Sequence, residues 1–222
     1  MRRPIVVELA GPAGAGKSTV WWLLTTRARV VHASVWNLPL PLLVASALRM
    51  LPAMAAVVRR SRRLPWEELK QMIRLDALRG HLRRLPAAPD NLILMDEGAV
   101  LAMSWLRVLG PACFRDGRMD DWWHNTLDAW APMLDGIVLL DAPDAVLVQR
   151  IRTRAKSHPY KNRPEAEINQ FSAAYRGAFS WVIAGLTARG DARVVTMESN
   201  GSEPVEIAER VLAAFEDAVH AR

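Results

Sequence analysis

Apolar and polar positions fall into two kinds of block along the chain. Short, nearly unbroken apolar runs occur at 5–10 (IVVELA), 28–35 (ARVVHASV), 91–98 (NLILMDEG, ending in two carboxylates and a glycine), 136–143 (GIVLLDAP) and 192–197 (ARVVTM). Runs of this length that do not alternate predict buried strands of a parallel sheet. Between them lie longer segments with apolar residues three and four apart, the spacing of one helix face: 18–28, 65–85, 99–134, 144–154, 166–190 and a closing helix within 198–219. Strands that alternate with helices predict a three-layer α/β/α fold with a five-stranded, mostly parallel sheet covered on both faces. The whole chain, 1–222, reads as one domain.

Two segments need a decision. Residues 36–58 are apolar enough to resemble a membrane span, but Arg49 sits in the middle and Pro39, Pro41 and Pro52 interrupt it. The expectation is one or two buried helices over the sheet. The basic cluster RRSRR at 59–63 then reads as a solvated helix end. Residues 65–85 form a well-marked amphipathic helix: Pro65 near its start, Glu67 and Glu68 in the first turn, and arginines at its end. That order of charge suits the helix dipole. The four tryptophans Trp105, Trp122, Trp123 and Trp130 in 99–134 are expected mainly to pack helices.

Composition narrows the picture a little. With 51% hydrophobic residues the chain is not a disordered one. Its single cysteine, Cys113, excludes an internal disulfide framework and fits a reducing, cytoplasmic setting. A net charge of +6 is compatible with polyanionic partners and selects none. Nucleic-acid and membrane contact are not expected, and a homodimer is compatible with the chain. The N-terminus faintly imitates a secretory signal, but Glu8 interrupts the apolar part and an informative motif follows at once, so no signal is read there.

That motif is GPAGAGKST, residues 11–19. It fits G-x-x-x-x-G-K-[ST] with Gly11, Gly16, Lys17 and Ser18 at the fixed places, between a strand-like and a helix-like run. Glycines there let backbone N–H groups converge on phosphate oxygens, and the following helix adds the positive end of its dipole. Pro12, Ala13, Gly14, Ala15 and Thr19 complete the expected nucleotide-binding loop. Lys17 is expected to reach the β- and γ-phosphates of ATP, and the Ser18 hydroxyl to ligate Mg²⁺. A glycine-rich turn that binds nothing is the plainer alternative, and motif and context together argue against it. The strand at 91–98 ends in Asp96, where open α/β sheets hold their ligands, so Asp96 is expected as a Mg²⁺-linked carboxylate or a general base. If the strand keeps alternating, Glu97 points elsewhere.

With these residues in place the chain resembles the phosphate-loop nucleoside and nucleotide kinases, thymidylate kinase most of all. The resemblance is strong at the two ends and weak in the middle. VLLDAPDAVLVQRIRTR resembles the segment leading into the family's lid, and its R-x-x-x-R spacing makes Arg150 and Arg154 the counterparts of arginines that stack on adenine and contact phosphate. MESNGSEPVEIAERV resembles the turn bordering adenine, which implicates Asn200 and Gly201. QMIRLDALR resembles a substrate-facing helix, with Arg74 as the matching arginine. The resemblance implies an ATP- and Mg²⁺-dependent kinase with a helical acceptor side at about 36–90 and a helical lid at about 150–165.

One departure bears on the substrate. Glu97 stands where the relatives carry an arginine that helps hold substrate and phosphate. A second negative charge disfavours a doubly anionic acceptor. Trp36, Trp66 and Trp105 flank the segments expected to line that side. The expected acceptor is therefore a small hydroxylated molecule, neutral or cationic. The alternatives are a nucleoside monophosphate kinase and a nucleotide-driven switch acting on a protein.

Overall fold

The run at 5–10 forms the central strand β1 (Ile5–Ala10), buried along its whole length. In the computed structural model, residues 4–27, 30–61, 63–85, 92–155 and 157–220 are described, the last five without their side chains. Strands β2 (Val30–Ala33), β3 (Leu92–Met95), β4 (Gly136–Asp141) and β5 (Arg193–Glu198) join β1 in a sheet of order β2-β3-β1-β4-β5. Every pairing is parallel. All strand C-termini therefore meet at one edge, which is where the loops that carry chemistry are gathered.

Side-chain alternation divides the core in two. Ile5, Val7 and Leu9 of β1 point to one face, which α1 (Lys17–Arg27) and α8 (Pro204–His220) cover with Val20, Leu24, Ile207 and Val211. Val6 and Ala10 point to the other face. There α3 (Trp66–Leu82), α4 (Ala99–Leu109), α5 (Asp120–Trp130) and α7 (Glu165–Thr187) supply Leu69, Met72, Met103, Trp123, Trp130 and Phe179. Trp122, Trp123 and Trp130 are buried, as their packing role requires, and so is Cys113. Desolvation holds the Cys113 thiol above its ordinary pKa, which leaves it inert.

Residues 36–58 depart from expectation. They give a single helix, α2 (Leu40–Ser61), that runs through Pro52 without a break. It is not buried over the sheet. Leu69, Met72, Leu75 and Leu78 of α3 occupy that position, so α2 packs on α3 with one side only. The segment joining α6 (Asp144–Thr153) to α7, expected to be a helical lid, is flanked by helices, and its described residues carry turns at 159–162 and no helix of their own.

Candidate active site

The loop between β1 and α1 is shaped by close approach. A Cβ on Gly11, where φ is +143°, would stand 2.0 Å from the Leu140 carbonyl oxygen of β4. No other residue fits there. Lys17 Nζ donates to the Gly11 and Pro12 carbonyls at 2.7 and 2.9 Å, so its ammonium closes the loop on itself. Burial pulls its pKa down to about 8; Arg154 adds to the fall, while Glu97, Asp96 and Asp141 oppose it. Ser18 and Thr19 are exposed at the start of α1, which has no acidic residue in its first turn to blunt the dipole.

Gly11, Ala13, Gly14, Gly16, Lys17, Ser18 and Thr19 all face one cavity of about 730 Å³. Pro12 and Ala15 do not: Pro12 contributes its carbonyl to Lys17, and Ala15 is buried beneath the loop.

Asp96 and Glu97 both face the same cavity. The expected alternation fails for Glu97 because β3 stops at Met95, and the two carboxylates lie in the bend that follows. The Glu97 carbonyl accepts from the Val35 N–H at 3.1 Å, which fixes this bend against the end of β2. Asp96 Oδ1 lies 3.0 Å from His32 Nε2 on β2.

Glu8 supports the same bend from below. It is wholly buried in β1, and its two oxygens accept from the Val100 and Leu101 N–H groups at 2.9 Å each, capping α4. A Cβ at position 98 would stand 2.6 Å from Glu8 Oε2, so Gly98 lets the chain pass over the carboxylate. Burial pushes Glu8 up to about 7, against the backbone N–H groups that favour the ionised form.

Arg150 and Arg154, at the end of α6, line the cavity's opposite wall. Arg150 donates to the Gly14 carbonyl at 3.2 Å, to Ser199 Oγ at 2.8 Å and to the Ser199 carbonyl at 2.9 Å. Its guanidinium thus ties the phosphate loop to the loop after β5. Asn200 and Gly201 follow Ser199 directly but stand outside the cavity wall. The Arg154 carbonyl accepts from Lys161 Nζ at 2.7 Å. Lys156 lies outside the described residues.

On the remaining side stand Trp36, Arg74 and Trp105, with Glu67 and Gln71. The Arg74 guanidinium sits over the Trp36 ring, 4.2 Å from its centroid. Trp66 is not part of this wall; it is exposed, and its neighbour Glu67 faces inward instead.

Several residues here had no motif to announce them. Tyr160 stacks on Phe171 at 4.1 Å, and Phe171 meets Tyr175 at 4.8 Å, which makes an aromatic wall from the lid-like segment and α7. Only the four-residue spacing of Phe171, Tyr175 and Phe179 hinted at a common face. Asp141, at the end of β4, receives Arg176 Nε at 2.7 Å, and the same guanidinium pairs with Asp144 at 2.5 Å. That double pairing raises the Arg176 pKa further. Among the described residues no group of three or more His, Cys, Asp or Glu is arranged to hold a metal ion by itself.

Comparison with known proteins agrees at the level of fold. The sequence matches no protein-family model and no curated protein. Among solved structures, thymidylate kinase from Candida albicans superposes with a TM-score of 0.58 at 14% identity, over 97% of this chain and 92% of the other. Deoxyadenosine kinase from M. mycoides, solved with bound dATP, superposes with a TM-score of 0.56 at 13% identity, over 94% of this chain and 99% of the other. The chain has the fold of the phosphate-loop nucleotide and nucleoside kinases.

Proposed function

We propose that the protein is an ATP-dependent kinase that transfers the γ-phosphoryl group to a hydroxyl of a small acceptor, neutral or positively charged. One observation carries the reading. A single cavity of about 730 Å³ joins the phosphate loop, two carboxylates, two lid arginines and the tryptophan wall of Trp36 and Trp105. That volume suits a nucleotide and a small second substrate side by side.

The residues fit ATP and Mg²⁺. The loop would cradle the phosphates with its backbone N–H groups, the positive end of α1 and Lys17. The Ser18 hydroxyl and the Asp96 carboxylate are hard oxygen donors on the same cavity. Mg²⁺ needs only one or two protein ligands when phosphates and water complete its shell. Its contribution would be to neutralise charge on the transferring group.

The acceptor oxygen would form its bond to the γ-phosphorus as the bond to the bridging oxygen breaks and ADP leaves. The hydroxyl proton passes to Asp96, whose orientation His32 holds. Arg150, fixed by Gly14 and Ser199, offers a planar face to the nucleotide, and Arg154 contributes positive charge beside the phosphates. Segment 154–163 would act as the lid that excludes water.

Glu97 and Glu67 make the acceptor side negative. Arg74 favours a second reading, because it supplies on this wall the positive charge that position 97 lacks. On that reading the acceptor is a nucleoside monophosphate. A panel of hydroxylated metabolites and nucleoside monophosphates, assayed with ATP and Mg²⁺, separates the two. The nucleotide-driven switch predicts ATP turnover that no small acceptor stimulates.

A further inference from the structure

Helix α2 is apolar on both sides, and the rest of the molecule covers only one of them. On the inner side Leu42, Ser46 and Val57 are buried. On the outer side Leu40, Val44, Leu48 and Leu51 are 71%, 52%, 65% and 55% exposed. Their spacing of four, four and three puts them on one stripe, which Ala55 continues, over about 22 Å of helix at 1.5 Å per residue. The helix is apolar along most of its length, and little of that length is buried. A helix this apolar all round belongs in a core or against lipid.

Charge identifies what covers it. No aspartate or glutamate occurs from residue 30 to residue 66. The stripe runs into Arg59, exposed at its C-terminal end, with Arg60 beside it. Neither pairs with a carboxylate among the described residues; Arg60 is half-buried and donates to Met119 Sδ at 3.0 Å, which leaves Arg59 as the freely exposed charge. Exposed Leu64 and Trp66 follow directly. An apolar stripe with a basic end and an exposed tryptophan just beyond it matches an anionic bilayer surface, where the stripe enters the acyl boundary and the basic end meets headgroup phosphates. A second copy of the chain fits less well, because it presents the same arginines and no acid to meet them. The helix lies on the surface and does not span: its inner side is fixed to α3, and Arg49 at the edge of the stripe is paired with buried Asp76.

We propose that the outer face of α2 docks the protein on anionic lipid bilayers, a property independent of the reaction assigned to the cavity. Flotation with phosphatidylcholine vesicles, with and without phosphatidylglycerol, tests it. The wild type should float with the anionic vesicles and stay behind with the neutral ones. Leu48→Glu with Leu51→Glu should lower anionic binding at least tenfold, with an unchanged circular dichroism spectrum. Arg59→Glu with Arg60→Glu should lower it separately and flatten its salt dependence. Vesicle-induced protection of amides 40–55 from hydrogen exchange should accompany binding. No binding to anionic vesicles, or equal binding by the wild type and a folded leucine variant, overturns the proposal. So does a wild-type dimer in ultracentrifugation that the leucine variant converts to monomer, which would assign the face to a second copy.

Discussion

His32 Nε2 lies 3.0 Å from Asp96 Oδ1, so an imidazole on β2 holds the carboxylate in the bend just after β3. The two strands are paired in parallel, with Ala33 opposite Met95, which places both groups at the sheet's C-terminal edge. Asp96→Asn should lower turnover roughly a hundredfold or more while leaving ATP binding nearly intact, because proton acceptance and a charged oxygen for Mg²⁺ are lost while the loop's hold on the phosphates remains. His32→Gln should lower kcat by about tenfold, the usual scale for removing an orienting partner, with KM for ATP unchanged. Steady-state kinetics on both variants checks this; wild-type kcat in Asp96→Asn would remove Asp96 from the reaction.

Lys17 is the second test. Lys17→Ala should cost on the order of 3 kcal/mol or more of transition-state stabilisation without unfolding the chain. The lowered pKa adds a pH signature. In the free protein the ammonium loses its proton at about pH 8. Phosphate binds the charged form and raises its pKa, so binding just above pH 8 takes up a proton and ATP affinity falls as pH rises further. Calorimetry in two buffers of different ionisation enthalpy should report that uptake in the wild type and none in Lys17→Ala.

Glu8 makes stability fall with rising pH. Its folded pKa, about 7, lies above the ordinary 4.5, so the folded state holds the proton more tightly. Its contribution is fully present below 4.5 and is lost as pH rises through 7. The difference corresponds to about 3 kcal/mol at most. Glu8→Gln keeps one carbonyl cap and turns an N–H toward the other amide, so it should be less stable at low pH and show a flatter decline between pH 5 and 8. Melting temperatures across that range, compared between the two proteins, decide it; parallel slopes would exonerate Glu8.

Much of this architecture was readable because it is local. The apolar runs became strands, and the glycine spacing of residues 11–16 set a loop whose closeness to β4 admits no other residue at position 11. What could not be read is long-range. His32 and Asp96 are 64 positions apart, Arg150 and Ser199 49, and Glu8 and Val100 92; strand order alone brings them together. The apolar run 36–58 departs from its expected place for the same reason. Periodicity cannot say that α3 takes the place over the core and leaves α2 half uncovered.

The segment 154–163 should close over bound nucleotide. Its described residues are held by their own turns, by Lys161 on the Arg154 carbonyl, by His158 and Tyr160 against Phe171, by Tyr160 against Val148, Ile151 and Ile168, and by an exposed Arg163–Glu167 pair, with several side chains exposed. Hydrogen exchange should show weak protection in the free protein and stronger protection with a non-hydrolysable ATP analogue. Equal protection in both states would make it a static surface.

The acceptor decides the central claim. Labelled γ-phosphate from ATP should be followed onto a pool of neutral and cationic hydroxylated metabolites and, separately, onto the common nucleoside monophosphates including thymidylate. The negative wall of Glu97 and Glu67 predicts label in a new phosphomonoester from the first pool and little on any nucleotide acceptor. Efficient labelling of a nucleoside diphosphate would show that Arg74 outweighs Glu97, and label appearing only as inorganic phosphate would contradict a kinase altogether.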